Sequence, residues 1–193
     1  KRKYRTRNEG DFPEKLTLDF TKEWDLKYGE NPNQNAAIYI QNNAKNIAEL
    51  TNIKSVRSDN KGKGGLSLTN TMDIARAIDN LKFFPKDKTI VIMKHNIVAG
   101  FAKETQKKSL KELYRLARDS DRRSCFGGTI ATNTTLDIQT AEAILELYPE
   151  HIVDVVAAPE FEQGAIELLE TKKNIRIASF SNLDNLPKFQ GDD

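Results

Sequence analysis

Two residues that can carry or exchange a proton stand side by side in this chain, at positions 94 and 95. Lys94 supplies a cation, and His95 is one of 2 histidines in the sequence, the residue type most often used as a general acid or base. An imidazole beside an ammonium group suits proton transfer, so acid–base chemistry is predicted here. The alternative is a surface lysine followed by a histidine that only ends a strand.

A buried strand is predicted immediately before this pair. The residues from Thr89 to Met93 are β-branched or apolar and carry no charge, which is typical of a strand buried on both faces in a parallel sheet. Ligands bind outside the carboxyl ends of the strands in open α/β sheets. We therefore expect Lys94 and His95 to face a crevice at the end of this strand.

The remaining pattern predicts an α/β fold. From Thr89 onward, strands and helices alternate, which favours three layers, a mainly parallel sheet with helices on both faces. Predicted strands lie at 12–20, 36–41, 89–93, 152–158 and 175–180 and in the apolar run entered through Gly127 and Gly128. Predicted helices lie between 69 and 84 and at 104–118, 137–148 and 160–172.

The first predicted helix has recognisable start signals. Asn70 or Thr71 can cap it, and Asp73 suits its first turn. Its inward residues are expected to be Met72, Ala75, Ile78 and Leu81.

Three further stretches are candidates for binding. The turn at 25–34 displays polar donors and an aromatic ring, so it is either a binding loop or a connector. Gly127 and Gly128 permit a positive φ or the close approach of a backbone or ligand, with a strand bulge as the alternative. The basic, glycine-rich stretch 58–68 lacks a phosphate-loop pattern and is expected to be a mobile connector. His151 is expected in a connector, exposed to solvent.

Composition bounds the function classes. The chain has 193 residues, a net charge of +2 and one cysteine. It is long enough for one sizeable core, its charge gives no strong argument for nucleic acid, and a single cysteine excludes a disulfide framework and a cysteine-based zinc cluster. It contains no apolar run of membrane length. Residues 1–11 read as an arm or linker, and the absence of an initial methionine suggests an excised piece of a longer protein.

Three motifs together resemble one family, the formyltransferase domain of the bifunctional enzyme AICAR transformylase/IMP cyclohydrolase. The family's Leu-Arg-Tyr-Gly-Glu-Asn-Pro-His-Gln is matched by Leu-Lys-Tyr-Gly-Glu-Asn-Pro-Asn-Gln at 26–34. Its Lys-His-x-Asn-Pro-Cys-Gly is matched at 94–100, and its Ser-x-Phe-Gly-Gly-x-Ile-Ala-x-Asn at 124–133. The similarity spans residues 12 to 180.

The resemblance implies a cytidine-deaminase-like fold without that fold's zinc, and a cytoplasmic enzyme of purine biosynthesis. It implies transfer of a formyl group from 10-formyltetrahydrofolate to the 5-amino group of AICAR, in a homodimer, with no nucleic-acid or membrane partner. His95 matches the general base and Lys94 the lysine that stabilises charge. Lys27, Tyr28, Gly127 and Asp154 match positions that bind the nucleotide. Further pocket residues are expected at Asn31, Asn70, Phe126, Gly128 and Asn133.

The chain departs from the family pattern at several positions. Lys27 replaces an arginine and loses its bidentate fork, Asn33 replaces a histidine, and residues 97–99 replace Asn-Pro-Cys in the loop expected after the catalytic pair. Residues 12–193 are expected to form the N-terminal half of the transformylase domain, without the cyclohydrolase domain or the second transformylase half. The altered loop and the missing half leave a second interpretation open, a non-catalytic nucleotide-binding or dimerisation module of the same ancestry.

Overall fold

The computed structural model describes residues 14–42, 53–56, 65–181, 183 and 186. The expected arm at 1–11 and residues 58–64 of the basic stretch lie outside this part. The elements are β1 (Phe20–Leu26), β2 (Ala36–Gln41), β3 (Lys54–Ser55), α1 (Leu68–Leu81), β4 (Thr89–Lys94), β5 (Ile97–Lys103), α2 (Leu110–Ser120), α3 (Arg122–Cys125), β6 (Gly128–Thr132), α4 (Ile138–Leu145), β7 (Val153–Ala158), α5 (Gln163–Glu170) and β8 (Arg176–Ser179).

A six-stranded sheet in the order β3-β8-β7-β6-β4-β5 forms the middle layer. Strands β6, β7 and β8 are parallel neighbours, whereas β4 is antiparallel to both β5 and β6, and β3 is antiparallel to β8. Thus β5, β6, β7 and β8 run in one direction, and β3 and β4 run in the other. The sheet is mixed, so the prediction of a mainly parallel sheet holds for these four strands and is wrong for β4.

Strand β4 is buried on both faces, as its apolar composition predicted. Ile90 and Ile92 face the core beneath α2, α4 and α5, and Val91 and Met93 face the core beneath α1. All four are at most 1% exposed. Three layers with helices on both faces are therefore confirmed.

A hairpin connects β4 to β5 where we expected a loop leading into a helix. Lys94 pairs with Ile97, so only His95 and Asn96 form the turn, with φ angles of 52° and 65°. Two central residues at positive φ characterise a type I′ turn, whose twist matches that of the strands it joins. Residues 97–99 therefore belong to a strand, and the helix expected from position 104 begins at Leu110.

Helix α1 begins earlier than predicted. Ser67 is its N-cap, and the Asn70 side chain completes a capping box by accepting from the Ser67 backbone. The predicted caps, Asn70 and Thr71, are therefore wrong by about one turn. Met72 is 40% exposed, and Asp73 lies in the second turn and is only 5% exposed. The inward residues are Ile74, Ala77, Ile78 and Leu81.

The small sheet β1–β2 also corrects the sequence pattern. The strand predicted at 12–20 is wrong, because β1 begins at Phe20. Leu16 and Leu18 are 73% and 52% exposed, so the alternating apolar residues of this stretch do not face a core. The strand predicted at 36–41 is confirmed as β2. In the part of the chain that the structure describes, no helix has the length and apolar character needed to cross a membrane.

Candidate active site

The carboxyl end of β4 meets the amino-terminal ends of β6 and β7. Met93 pairs with Thr129, and Gly128 pairs with Val153. This register places Lys94, Gly127 and Asp154 at one edge of the sheet. Because β4 runs against its neighbours, this is the amino-terminal edge of β6 to β8, not the carboxyl edge on which the rule for parallel sheets relies.

Lys94 lies against the segment that leads into β6. Its Nζ donates a hydrogen bond to the Phe126 carbonyl and lies 5.7 Å from the centroid of the Phe126 ring. A Cβ added at Gly127 would lie 3.2 Å from this Nζ, and Gly127 has a φ of 68°. The glycine therefore accommodates both a left-handed backbone and the ammonium group.

Gly128 serves the packing of the two central strands. A Cβ at this position would lie 2.9 Å from the Met93 carbonyl oxygen. The close approach expected for the glycine pair is confirmed as contact between backbone segments of the protein.

His95 occupies the exposed turn at the same edge. The Asn96 amide donates to Asp73 Oδ1 at 2.7 Å, which ties the turn to α1. Asp73 and His95 also interact electrostatically, an attraction that lowers the pKa of Asp73, but burial has the larger effect and raises this pKa above its ordinary value.

A β-bulge brings Asp154 to this edge. Gly128 pairs with Val153 and Thr129 with Val155, so Asp154 is the extra residue of β7. Bulges re-aim side chains and are frequent beside active sites. Asp154 is close enough to Asp73 to raise the pKa of that carboxyl, so these two carboxylates lie near each other.

The loop with Lys27 and Tyr28 is fastened to the start of α1. The Lys27 amide donates to the Leu66 carbonyl, and the Leu68 amide donates to the Tyr28 carbonyl, both at 3.0 Å. Leu68 and Asp73 are five residues apart, about 7.5 Å along the helix axis. The first turns of α1 thus hold both the 27–28 segment and the 95–96 turn.

The other expected pocket residues have mixed placements. Phe126 lies beside Lys94, with 41% of its surface exposed. Asn31 is exposed in the β1–β2 loop, where its amide donates to Gln34 Oε1. Asn70 uses its side-chain oxygen in the capping box.

Asn133 is not brought to the site. Its side chain accepts from the Thr89 amide and donates to the carbonyls of Phe84 and Asp87, at the opposite end of β4. It fastens the beginning of β4, so its expected place in the pocket is wrong.

His151 overturns the expectation of exposure. It is 4% exposed, and its ring meets the Phe126 ring edge to face, with centroids 6.1 Å apart. Burial lowers the pKa of His151, and the nearby charges of Arg118 and Arg122 lower it further. His151 is therefore a neutral support behind the ring that Lys94 contacts.

A cleft of about 540 Å³ lies beside the Phe126 and His151 rings. It is lined by Arg122, Arg123, Phe126, Leu147, Glu150 and His151. Within the described residues, no three His, Cys, Asp or Glu side chains lie together as metal ligands would. We assign no residue to a metal.

Two features of the site were not predicted from the sequence, the bond of Asp73 to the 95–96 turn and the burial of His151. An acidic residue within the apolar run of an amphipathic helix was an available signal for Asp73. No local signal existed for His151, because Phe126, the ring that covers it, is 25 residues away in the chain.

This α/β chain is similar in sequence to proteins that are named for purine biosynthesis. The family model described as "AICARFT/IMPCHase bienzyme" matches residues 2–191. The bifunctional purine biosynthesis protein PurH of Magnetococcus marinus is 37% identical over 174 residues, covering 90% of this chain and 30% of the relative. The protein of the same name from Persephonella marina is 35% identical over 184 residues, covering 94% and 33%.

The chain belongs to the AICARFT/IMPCHase bienzyme family. It spans about a third of the length of these curated relatives. The resemblance based on the three sequence motifs is thereby confirmed.

Proposed function

We propose that this chain carries part of a phosphoribosylaminoimidazolecarboxamide formyltransferase site, which transfers a formyl group from 10-formyltetrahydrofolate to the 5-amino group of AICAR. The observation that supports this most is the convergence of Lys94, His95, Gly127 and Asp154 at one sheet edge. The segment with Lys27 and Tyr28 is bonded to the same end of α1.

His95 is the proposed general base. The amine of AICAR is a weak nucleophile, because its lone pair delocalises into an imidazole that bears a carboxamide. Removing its proton during attack therefore lowers the barrier, typically by a factor of 10² to 10⁴ in rate. His95 stands in an exposed turn, where its imidazole can reach a bound substrate.

Lys94 is the proposed electrostatic partner. 10-Formyltetrahydrofolate, when bound, supplies the activated formyl carbon that the amine attacks. The ammonium of Lys94, held by the Phe126 carbonyl, places positive charge where a negative oxygen develops on that carbon. The half-exposed Phe126 ring beside it offers a flat apolar surface for an aromatic ligand, so the residues present fit such a co-substrate.

Lys27 and Tyr28 are proposed to hold the nucleotide. Lys27 is exposed and lies 5.9 Å from the centroid of the Tyr28 ring. A lysine attracts a phosphate as a point charge, with less geometric selectivity than an arginine. Asp154 is proposed to accept from hydroxyl or amide groups of the same ligand.

An assay of the full-length protein tests this proposal. We expect formylation of AICAR by the wild type, and for His95→Ala a loss of at least about 100-fold in kcat with AICAR affinity retained. Lys94→Met is expected to lose activity too, while Lys103→Met, at the other end of the hairpin, serves as the matched control. Full activity of His95→Ala would remove His95 from the mechanism.

A dimerisation or nucleotide-binding module is the second candidate, and strand β5 favours it. β5 is an edge strand, and Ile97, Val98 and Phe101 are 70%, 41% and 39% exposed. We propose that the protein is a homodimer in which this edge lies at the contact. Nucleotide affinity without turnover in both the wild type and His95→Ala would favour this module over the enzyme.

The proposed compartment is the cytoplasm. Cys125 is buried and unpaired within the described part of the chain, as suits a reducing environment. Labelling of the tagged full-length protein in cells tests the location.

A further inference from the structure

The carboxylate of Asp73 lies directly beneath the turn that presents His95. Asp73 is in the second turn of α1 and is 5% exposed, so its carboxylate is directed into the protein. Its Oδ1 accepts the Asn96 amide at 2.7 Å, a short bond of the kind that a charged acceptor forms.

The turn needs such a partner. His95 and Asn96 both have positive φ, which is uncommon for any residue other than glycine, although asparagine and histidine adopt it more often than most. The backbone of residue 95 sets the direction of its imidazole. A bond from the neighbouring amide to a fixed helix therefore restricts the direction in which the Cα–Cβ bond of His95 points.

Asp73 occupies a place where a charge is costly. The titratable groups that face it are His95 on the turn and Asp154 on β7. Burial raises the pKa of Asp73, and the negative charge of Asp154 raises it further. The hydrogen bond from the Asn96 amide acts in the opposite direction and lowers this pKa.

We propose that Asp73 is a positioning residue for the reaction, which holds the 95–96 turn through the Asn96 amide and so directs His95 at the substrate. The kinetic consequence rests on the proposed formyl transfer. The restraint of the turn by the Asn96–Asp73 hydrogen bond, which we call the clamp, does not depend on formyl transfer.

Two variants and a matched control test the proposal in the full-length protein. Asp73→Asn keeps an oxygen acceptor, Asp73→Ala removes it, and Asp79→Asn makes the same change six residues further along α1. Asp79 bonds Lys82 and Arg76 and does not touch the turn. The readouts are kcat and KM for AICAR, and the hydrogen-exchange rate of the Asn96 amide by NMR.

For Asp73→Ala we expect kcat to fall about 10- to 100-fold with KM for AICAR nearly unchanged, since a small misplacement of a catalytic group costs rate rather than binding. The Asn96 amide should exchange at least about tenfold faster, the effect of losing one charge-assisted hydrogen bond. Asp73→Asn should restore both quantities to within about threefold of the wild type, and Asp79→Asn should leave both unchanged.

A third measurement covers the case in which Asp73→Ala fails to fold. In the wild type, the amide proton shift of Asn96 should follow the protonation of Asp73 as the pH falls through the acid range. An Asn96 shift that does not titrate, or an Asp73→Ala variant with wild-type kcat and exchange, would overturn the proposal. A wild type without formylation would instead refute the proposed function, and the exchange rates would still decide whether the clamp exists.

Discussion

Lys94 and Gly127 depend on each other. The glycine gives the ammonium group room, and the ammonium group, bonded to the Phe126 carbonyl, holds the segment that contains the glycine. The site at this edge is therefore sensitive to one methyl group.

Gly127→Ala is expected to lower both stability and activity. A left-handed alanine costs about 1–2 kcal/mol, and its Cβ would lie 3.2 Å from Lys94 Nζ and push it aside. We expect formylation to fall about tenfold or more, an effect on the scale of a displaced catalytic group. Gly164→Ala in α5 is the control for the activity assay, because its added Cβ would lie 3.0 Å from Ile138 Cδ1 and so crowds a partly buried apolar side chain instead of Lys94. Wild-type activity in Gly127→Ala would contradict the placement of Lys94.

His151 is expected to make the protein less stable in mild acid. Because burial depresses its pKa, the unfolded chain binds more protons below about pH 6.5 than the folded chain does. The stability associated with the neutral ring is thus complete above that pH and lost as the pH falls through the folded-state pKa. Urea denaturation should show that the free energy of unfolding decreases less between pH 7 and pH 5 for His151→Gln than for the wild type. Equal decreases in the two proteins would mean that His151 is solvated.

At this scale, motifs predicted the residues but not their supports. Two of the three motifs supplied Lys94, His95 and Gly127, and the family resemblance supplied Asp154; the strand register brings these four positions to one end of β4, β6 and β7. Asp73 and His151 act on residues more than 20 positions away in the chain. Their roles follow from packing, which no local pattern expresses.

The β4–β5 hairpin was not predicted from the sequence. Type I′ turns usually carry Asn-Gly or Asp-Gly. Here the turn is His-Asn, which gives no such signal, and the apolar residues after it looked like a departure within a loop. Strand β4 therefore runs antiparallel to both β5 and β6, whereas parallel neighbours were expected.

Substitution of Asn96 tests this turn. Asn96→Gly should retain stability, because glycine adopts a positive φ without cost, whereas Asn96→Val should lower the free energy of unfolding by about 1–2 kcal/mol. The measurement is urea denaturation of both variants beside the wild type. Equal stability of the two variants would argue against positive φ at position 96.

The junction of α2 and α3 depends on Asp119. Its carboxylate accepts from Arg118 at 2.8 and 3.1 Å and from Arg122 at 2.7 Å. The bond to Arg118, whose side chain is 5% exposed, is the main cause that lowers the pKa of Asp119 to about 2.

Asp119→Asn is expected to lower the free energy of unfolding by about 1 kcal/mol at pH 7, a modest value because Asp119 is partly solvated and screened. The depressed pKa means that this stabilisation is present above about pH 4 and lost as the pH falls toward 2. Urea titrations of wild type and variant should therefore converge in acid. Asp25→Asn, at a highly exposed carboxyl on β1, is the matched control. A difference independent of pH would refute the ion pair as the cause.

The layer arrangement of the whole molecule was predictable, because amphipathic helices and apolar strands alternate in the sequence. The direction of each strand was not predictable, because a strand buries the same residues beside a parallel or an antiparallel partner. Within the part of the chain that the structure describes, β5 ends the sheet as an edge strand, which is the largest consequence of that difference.

We expect this edge to support the proposed homodimer. Ile97→Lys places a charge on the exposed edge and should lower the dimer fraction of the full-length protein in sedimentation. Leu116→Lys removes a comparably exposed apolar residue from α2 and should not. A dimer unaffected by Ile97→Lys would place the contact elsewhere.

The most direct test of the proposed function is a crystal structure of the full-length protein with AICAR. Side chains converge at the end of β4, β6 and β7. We therefore expect the amino group of AICAR to lie near the His95 imidazole, its ring beside Gly127 and its phosphate toward Lys27 and Tyr28. AICAR bound at a different surface, with Lys94 and His95 remote from it, would contradict the proposed site.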